Sequence, residues 1–184
     1  MSDYFEVLGL PRRFAVDPAE LERRYLELSR AVHPDRVVGR PADERSGAAG
    51  PAMELNQAYR TLKRDLPRAE HILRLEGVTI EDNQPVEQEL LIEMLELREE
   101  LAEAVAAGDR ARLSALERGA RERERNELAQ LRGGFAELEV LLPGAPERPA
   151  RLQAVVDQVI RLRYLARYRE AFVEDDEAEQ EGAA

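Results

Sequence analysis

The sequence predicts an all-α protein in which an N-terminal helical hairpin is followed by a C-terminal three-helix bundle. Apolar residues recur at spacings of three and four in the long segments, which is the period of an amphipathic helix. No segment shows the alternation of a half-buried strand, and turns with Pro and Gly separate the helical stretches. With 184 residues, 43% of them hydrophobic, the chain can bury two small cores.

The first long helix is predicted to start after Asp17 and to end at Val32. Asp17 fits an N-cap, and Pro18 fits the first helical position, where no N–H donor is needed. Pro34 disfavours helical geometry at His33, so His33, Pro34 and Asp35 are expected in an exposed turn. Four apolar residues at spacings of four, three and four form one stripe along this helix: Leu21, Tyr25, Leu28 and Val32.

The returning helix is predicted over residues 41–62, with an unfavourable stretch in its middle. Gly47, Gly50 and Pro51 fall inside it. An interior Pro costs about 3 kcal/mol and each Gly about 1 kcal/mol relative to Ala. We therefore expect a kink, a break or a new helix start at Pro51.

The C-terminal half is predicted to hold three antiparallel helices. Gly77 fits the position that follows a helix, and residues 77–85 read as a linker. Helical patterns then cover residues 86–107, 110–142 and 147–173, the second with an interruption expected at Gly133 and Gly134. Short turns between such segments favour a bundle. Residues 174–184 hold six acids and no large apolar residue, so we expect a disordered acidic tail.

Composition and charge exclude several classes of protein. Residues 79–184 hold 14 basic and 25 acidic residues, which accounts for the net charge of −11, while residues 1–78 hold 13 of each. A basic face for nucleic acid is therefore not expected. No apolar run is long enough to span a membrane, no secretory leader is recognisable, and no cysteine is available for a disulfide or metal site. We expect no metal and no cofactor.

The helix, the His-Pro-Asp turn and the returning helix together resemble a J-domain, the module that stimulates ATP hydrolysis by DnaK-like chaperones. Four blocks resemble more narrowly the HscB co-chaperones of iron–sulfur cluster assembly. They are DYFEVLGLPRRF at residues 3–14, LNQAYRTL at 55–62, RAEHIL at 68–73 and EMLELREEL at 93–101. The resemblance implies a J-domain over residues 1–76 and a scaffold-binding bundle over residues 86–173.

The implied function is that of a bacterial cytoplasmic co-chaperone, not an enzyme. It would bind an IscU-type iron–sulfur scaffold protein, deliver it to a DnaK-like chaperone of the HscA type and stimulate that chaperone's ATPase. The alternative is a general J-domain co-chaperone whose bundle dimerises or holds unfolded clients in a broad apolar groove. A hydrolase built on His33 and Asp35 is disfavoured, because the chain has no serine nucleophile motif and His71 is its only other histidine.

Helical phase separates a charged face of the first long helix from its apolar stripe. At ~100° per residue, Arg23, Leu26 and Arg30 lie ~140–200° from Leu21. Guanidinium groups at this spacing suit an acidic partner surface, although an ordinary solvated face is the alternative. The resemblance assigns chaperone binding to seven positions: Arg23, Arg24, Arg30, His33, Pro34, Asp35 and Arg36.

Helical phase also predicts a second surface, on the helix of residues 86–107. Relative to Leu90, the predicted core stripe of Met94, Leu97, Leu101 and Val105 stays within ~60°. Leu91, Leu95 and Ile92 lie off that stripe at ~100°, ~140° and ~200°, among carboxylates at ~180–240°.

Aliphatic residues among acids indicate a partner-binding patch. The alternative is a wider buried face or a contact between domains, and it applies above all to Leu91. On the last helix Tyr164 is expected to point away from the stripe of Leu152, Val155, Val159, Leu162 and Ala166. The resemblance assigns scaffold binding to Leu91, Ile92, Leu95, Glu96, Glu99, Glu103 and Tyr164.

Overall fold

A computed structural model describes residues 2–32, 42–81 and 86–182 of the chain. These residues form seven helices and no strand, which confirms the predicted all-α class. The chain divides into two compact units, Met1–Thr79 and Ile80–Ala184. The predicted 77–85 linker contains this division, and its residues 82–85 lie outside the described part.

The first unit contains a hairpin of two long helices. Its four helices are α1 (Tyr4–Leu8), α2 (Pro18–Val32), α3 (Ala42–Lys63) and α4 (Asp65–Leu75). The Asp17 side chain accepts a hydrogen bond from the Ala19 N–H at 3.0 Å, as its predicted capping role requires. The ring of Tyr25 stacks on Tyr59 at 4.2 Å between centroids, and its hydroxyl donates to Asn56 Oδ1 at 2.7 Å. These contacts hold α2 against the C-terminal half of α3.

Arg68 fixes the corner between α3 and α4. Its buried guanidinium donates to the carbonyl of Leu62 at 2.6 Å and pairs with Asp65 at the start of α4. The group also lies 4.8 Å from the ring centre of Phe14. A carbonyl in the last turn of α3 thus receives a charged donor in place of the N–H groups that the helix no longer supplies.

His71 is the other buried polar residue that joins distant parts of the first unit. Its Nε2 accepts a hydrogen bond from the Tyr4 N–H at 3.0 Å, and its ring stacks on the Tyr4 ring at 4.3 Å. Burial, and after it the charge of Arg74, lowers the pKa of His71 below its ordinary value of 6.5. The imidazole is therefore neutral in the folded protein at pH 7.

The third helix continues through Pro51. We expected a kink, a break or a new start there; α3 runs as one helix from Ala42 to Lys63, so neither the break nor the new start occurs. Pro51 lacks an N–H, so the carbonyl of Gly47 loses its usual helical donor. A Cβ added at Gly50 would meet nothing within 4 Å, so this turn is not tightly packed. Packing of the downstream turns, with Leu55, Ala58 and Leu62 buried, offsets the local cost.

The second unit is the predicted three-helix bundle, formed by α5 (Gln88–Ala106), α6 (Arg110–Val140) and α7 (Arg148–Gly182). The α5–α6 turn contains Gly108 at φ 61, a backbone region that favours glycine, and Asp109 caps α6 by accepting from the Arg112 N–H at 3.0 Å. Ion pairs join facing positions of the antiparallel helices: Glu103 with Arg112 between α5 and α6, and Glu137 with Arg151 and Glu124 with Arg169 between α6 and α7.

Gly134 lies where α6 and α7 approach closely, and α6 is not interrupted there. The helix continues through Gly133 and Gly134 to Val140, so the predicted interruption is wrong. A Cβ at Gly134 would lie 2.9 Å from Gln158 Oε1 and 3.0 Å from Val155 Cγ2. The glycine therefore provides room for the neighbouring helix rather than a helix break.

The last helix is longer than predicted. α7 continues to Gly182, past the end expected at Val173 and into the segment that we expected to be disordered. This segment consists mainly of Glu, Ala and Gln, which are good helix formers, so the backbone continues the helix without needing an apolar stripe.

Replacing Gly134 by Ala should lower the stability of the bundle, and replacing Gly133 by Ala should raise it. A Cβ at Gly134 overlaps Val155 and Gln158, at a typical cost of about 1–3 kcal/mol. A Cβ at Gly133 meets nothing within 4 Å, so the helix gains about 1 kcal/mol from the better helix former. Thermal unfolding of the two variants tests this, and equal shifts in the same direction would contradict it.

The stability of the first unit should fall as the pH drops below about 6.5, because His71 titrates. Its folded pKa is lowered, so in that range the unfolded chain binds a proton that the folded chain does not. The folding free energy should then change by up to about 1.4 kcal/mol per pH unit. Denaturant unfolding at several pH values between 5 and 7 gives the free energy of unfolding. This free energy should depend less steeply on pH in His71→Gln than in wild type. The His33→Gln variant is the control, and an unchanged slope in His71→Gln would contradict the assignment.

Candidate binding surfaces

Helix α2 presents a charged face opposite its packed side, as the helical phase predicts. Leu21 is buried, and Tyr25 and Leu28 are half-buried. Arg23 and Arg30 are exposed, Arg24 is half-buried, and Leu26 is 47% exposed beside them. Leu26 was not among the predicted binding residues, although its phase among the arginines placed it on that face.

Acidic residues of the same helix pair with two of the three arginines. Arg23 donates to both carboxylate oxygens of Glu20 at 2.8 and 2.7 Å and to Glu27 at 3.2 Å. Arg24 donates to Glu20 at 3.1 Å. Donation from Arg23 lowers the pKa of Glu20 to about 2, so this carboxylate is charged at neutral pH. The acids and arginines of these pairs are three or four residues apart, which is the spacing of neighbours on a helix surface, so the pairs could have been predicted from the sequence.

The remaining predicted chaperone contacts lie outside the described part of the chain. They are His33, Pro34, Asp35 and Arg36. Their assignment therefore stays a prediction.

The buried and the exposed aliphatic residues of α5 are nearly those that helical phase predicted. The exposed set, here called the α5 patch, is Leu91, Ile92 and Leu95, with exposed fractions of 41%, 48% and 59%. The reading of Leu91 as core is therefore wrong. Val105, which we placed in the core stripe, is 39% exposed, because Ala104 takes the buried position in the last turn. The remaining stripe residues are buried: Leu90, Met94, Leu97 and Leu101.

An ion-pair cluster around Arg161 of α7 fixes which way α5 faces. Arg161 donates to Glu93 of α5 at 3.0 Å and lies 3.7 Å from Glu127 of α6. Burial raises the pKa of Glu127, and the charge of Arg161 opposes this effect. In helical phase Glu93 lies ~160° from Leu95. The cluster therefore directs Glu93 towards the other two helices and Leu95 away from them.

Exposed carboxylates follow the α5 patch along the same helix. Glu96 and Glu99 are exposed, and neither forms an ion pair with another residue that the structure describes. Glu103 is exposed but accepts a hydrogen bond from Arg112 at 3.0 Å. The negative charge next to the patch is thus carried mainly by Glu96 and Glu99.

Tyr164, the one predicted scaffold-binding residue outside α5, belongs to α7. It is half-buried and lines a shallow depression between Ile80 and Val86 on one side and Ile160 and Arg163 on the other. None of the α5 patch residues lines this depression. The binding roles of the α5 residues and of Tyr164 stay predictions.

Metal-binding clusters and membrane-spanning helices are both absent from the described ranges. Those ranges contain no group of three or more His, Asp or Glu side chains that could hold a metal ion. Within the same ranges, no helix combines the length and the apolar character needed to cross a bilayer.

Two protein families match the chain, one for each unit. The family described as the DnaJ domain matches residues 3–71. The family described as the HSCB C-terminal oligomerisation domain matches residues 86–172. The two matched regions include α2 and the α5 patch, respectively.

Individual relatives extend the similarity over nearly the whole chain. A co-chaperone protein HscB homolog from Vibrio cholerae is 34% identical over 170 residues, which cover 91% of this chain and 92% of that protein. The co-chaperone protein HscB of Proteus mirabilis is 43% identical, but the match covers 61% of this chain and 66% of that protein, just under two thirds.

Solved structures show the same similarity. Chaperone HscB from Vibrio cholerae superposes with a TM-score of 0.79 at 31% identity, over 96% of this chain and 99% of that one. Human co-chaperone protein HscB superposes with a TM-score of 0.82 at 25% identity, over 96% of this chain and 83% of that one.

Proposed function

This chain belongs to the HscB family of J-domain co-chaperones, and we propose that it links an IscU-type iron–sulfur scaffold protein to an HscA-type chaperone. It would work by binding in the bacterial cytoplasm and would catalyse no reaction itself. The first unit would stimulate ATP hydrolysis by the chaperone, and the second would hold the scaffold.

The exposed α5 patch is the observation that carries the scaffold half of the proposal. The helix buries a complete apolar stripe in its own bundle, so the patch is not needed for the core. Exposed aliphatic side chains in a group commonly mark a protein interface. Flanking Glu96 and Glu99 would favour a partner with basic groups around an apolar centre. Glu103 would add to this rim, and Tyr164 would be a separate contact at its own depression.

The chaperone half rests on the J-domain family and on the exposed side of α2. Arg23, Arg24 and Arg30 would face an acidic surface of the chaperone, with His33, Pro34, Asp35 and Arg36 following at the end of the helix. Leu26 would add an apolar contact among these charges. Because both surfaces belong to one chain, binding the scaffold raises its local concentration at the chaperone, so neither contact needs high affinity.

Replacing His33 by Gln should abolish stimulation of an HscA-type ATPase without changing scaffold binding. The His-Pro-Asp segment is where the J-domain resemblance is most specific, whereas the α5 patch belongs to the other unit. ATP turnover, scaffold titration and circular dichroism measure the three properties. A conservative Lys63→Arg variant is the control. Full stimulation by a folded His33→Gln variant would disprove the assigned role of this residue.

Replacing Leu91 and Leu95 together by Ala should weaken binding of an IscU-type scaffold by about 2–4 kcal/mol, as loss of two hot-spot residues would. The melting temperature should change little, because both side chains are exposed. The matched control is Val140→Ala with Leu142→Ala, two aliphatic residues of the same unit that are 79% and 77% exposed. Calorimetric titration measures both affinities.

The control pair also separates the proposal from its alternative. An equal loss of affinity in the two double variants would favour a general client-holding bundle. Unchanged affinity in the Leu91 and Leu95 variant would remove the patch from the interface altogether.

A further inference from the structure

Glu20 lies in the first turn of α2 and engages two arginines of the charged face at once. Arg23 binds both of its carboxylate oxygens, and Arg24 binds one of them from the next position. Glu27 adds a third contact to Arg23 at 3.2 Å. Two of the three arginines of α2 that are assigned to the chaperone surface thus already have acidic partners within their own helix.

These pairs are exposed and can open at low cost. The side chains of Arg23 and Glu20 retain 55% and 38% of their accessible surface. Ion pairs this exposed to water contribute little net stability, since hydration compensates for their separation. A partner carboxylate could therefore replace Glu20, but it would have to compete with a carboxylate already in place.

We propose that Glu20 attenuates the chaperone-binding surface by holding Arg23 and Arg24 in intrahelical ion pairs that an acidic partner must displace. Arg30, which lies ten residues further along α2, is the basic residue of this face that Glu20 does not contact. The inference rests on the proposed function, because it presumes that this face meets an acidic surface of the chaperone. It adds a residue that sets how strongly the face attracts its partner.

Glu22 offers a matched control on the same helix. It is exposed, it carries the same charge and it lies two positions from Glu20. Its electrostatic influence reaches Lys63 of α3, and it forms no hydrogen bond or ion pair with a residue in the described part of the chain. Glu20→Gln and Glu22→Gln therefore change the net charge equally, but only the first releases arginines.

The test compares association of the full-length variants with purified HscA-type chaperone at low and high ionic strength. Glu20→Gln should associate about three- to tenfold faster than wild type at low salt, as expected for unmasked charges that steer an encounter. Glu22→Gln should change the rate by less than about twofold, since it frees no arginine. At high salt the advantage of Glu20→Gln should largely disappear, because exposed charges are then screened.

A second set of variants tests whether Glu20 acts through Arg23 and Arg24. In a chain that carries Arg23→Gln and Arg24→Gln, adding Glu20→Gln should accelerate association no more than adding Glu22→Gln. Thermal melts accompany every variant, because Glu20 lies in the first turn of α2 and its charge favours that helix end. Attenuation by Glu20 would leave the melts nearly unchanged while the association rates differ.

The outcomes separate the inference from the function on which it rests. If wild type binds and stimulates the chaperone but the Glu20 and Glu22 variants behave alike, net charge alone matters and the inference is wrong. An acceleration that persists without Arg23 and Arg24 would also overturn it. If wild type neither binds nor stimulates the chaperone, the proposed function is wrong, and the inference falls with it.

Discussion

The close approach of α6 and α7 at Gly134 is the constraint on which the C-terminal unit depends. A residue without Cβ lets the two helices meet at Val155 and Gln158, and this contact sets their register. That register brings Glu127 and Arg161 together, and Arg161 in turn binds Glu93 of α5. The orientation of α5 follows, with one apolar stripe inside the bundle and three aliphatic residues outside it. The candidate binding surface on α5 thus depends on packing between the other two helices.

The two candidate surfaces use different physical means. The α5 patch offers apolar area beside carboxylates, so its affinity would come from desolvation and its choice of partner from charge. The face of α2 offers charges with a single exposed leucine, and Glu20 and Glu27 partly neutralise them. Such a surface favours fast, salt-sensitive encounters over long-lived binding. This combination suits a co-chaperone, which holds one protein while it meets another briefly.

Sequence patterns predicted local features well where a residue type has a single structural role. Asp17 caps α2, Gly77 ends α4 with a positive φ of 82°, and the phase of α5 placed Leu91, Ile92 and Leu95 outside the core. The errors concern residue types that can either interrupt a helix or be accommodated within it. Gly134 was read as a helix interruption but serves close packing, and the break that was one alternative at Pro51 does not occur, since α3 continues through it. In both cases contacts with distant residues outweigh local helix propensity.

The sequence by itself determined the helical class, the order of the five longest helices, the family resemblance and the positions that cannot fit the apolar stripes. These follow from spacing and residue type, which are local properties of the chain. Only the tertiary structure decided that Val105 is exposed, that Tyr164 lines a depression with Ile80 and Val86, and that Glu20 holds Arg23 and Arg24. Helical phase gives the direction of a side chain but not what lies in that direction. The neighbouring helices and the side-chain conformations supply that information, and both are set by the packing of the whole unit.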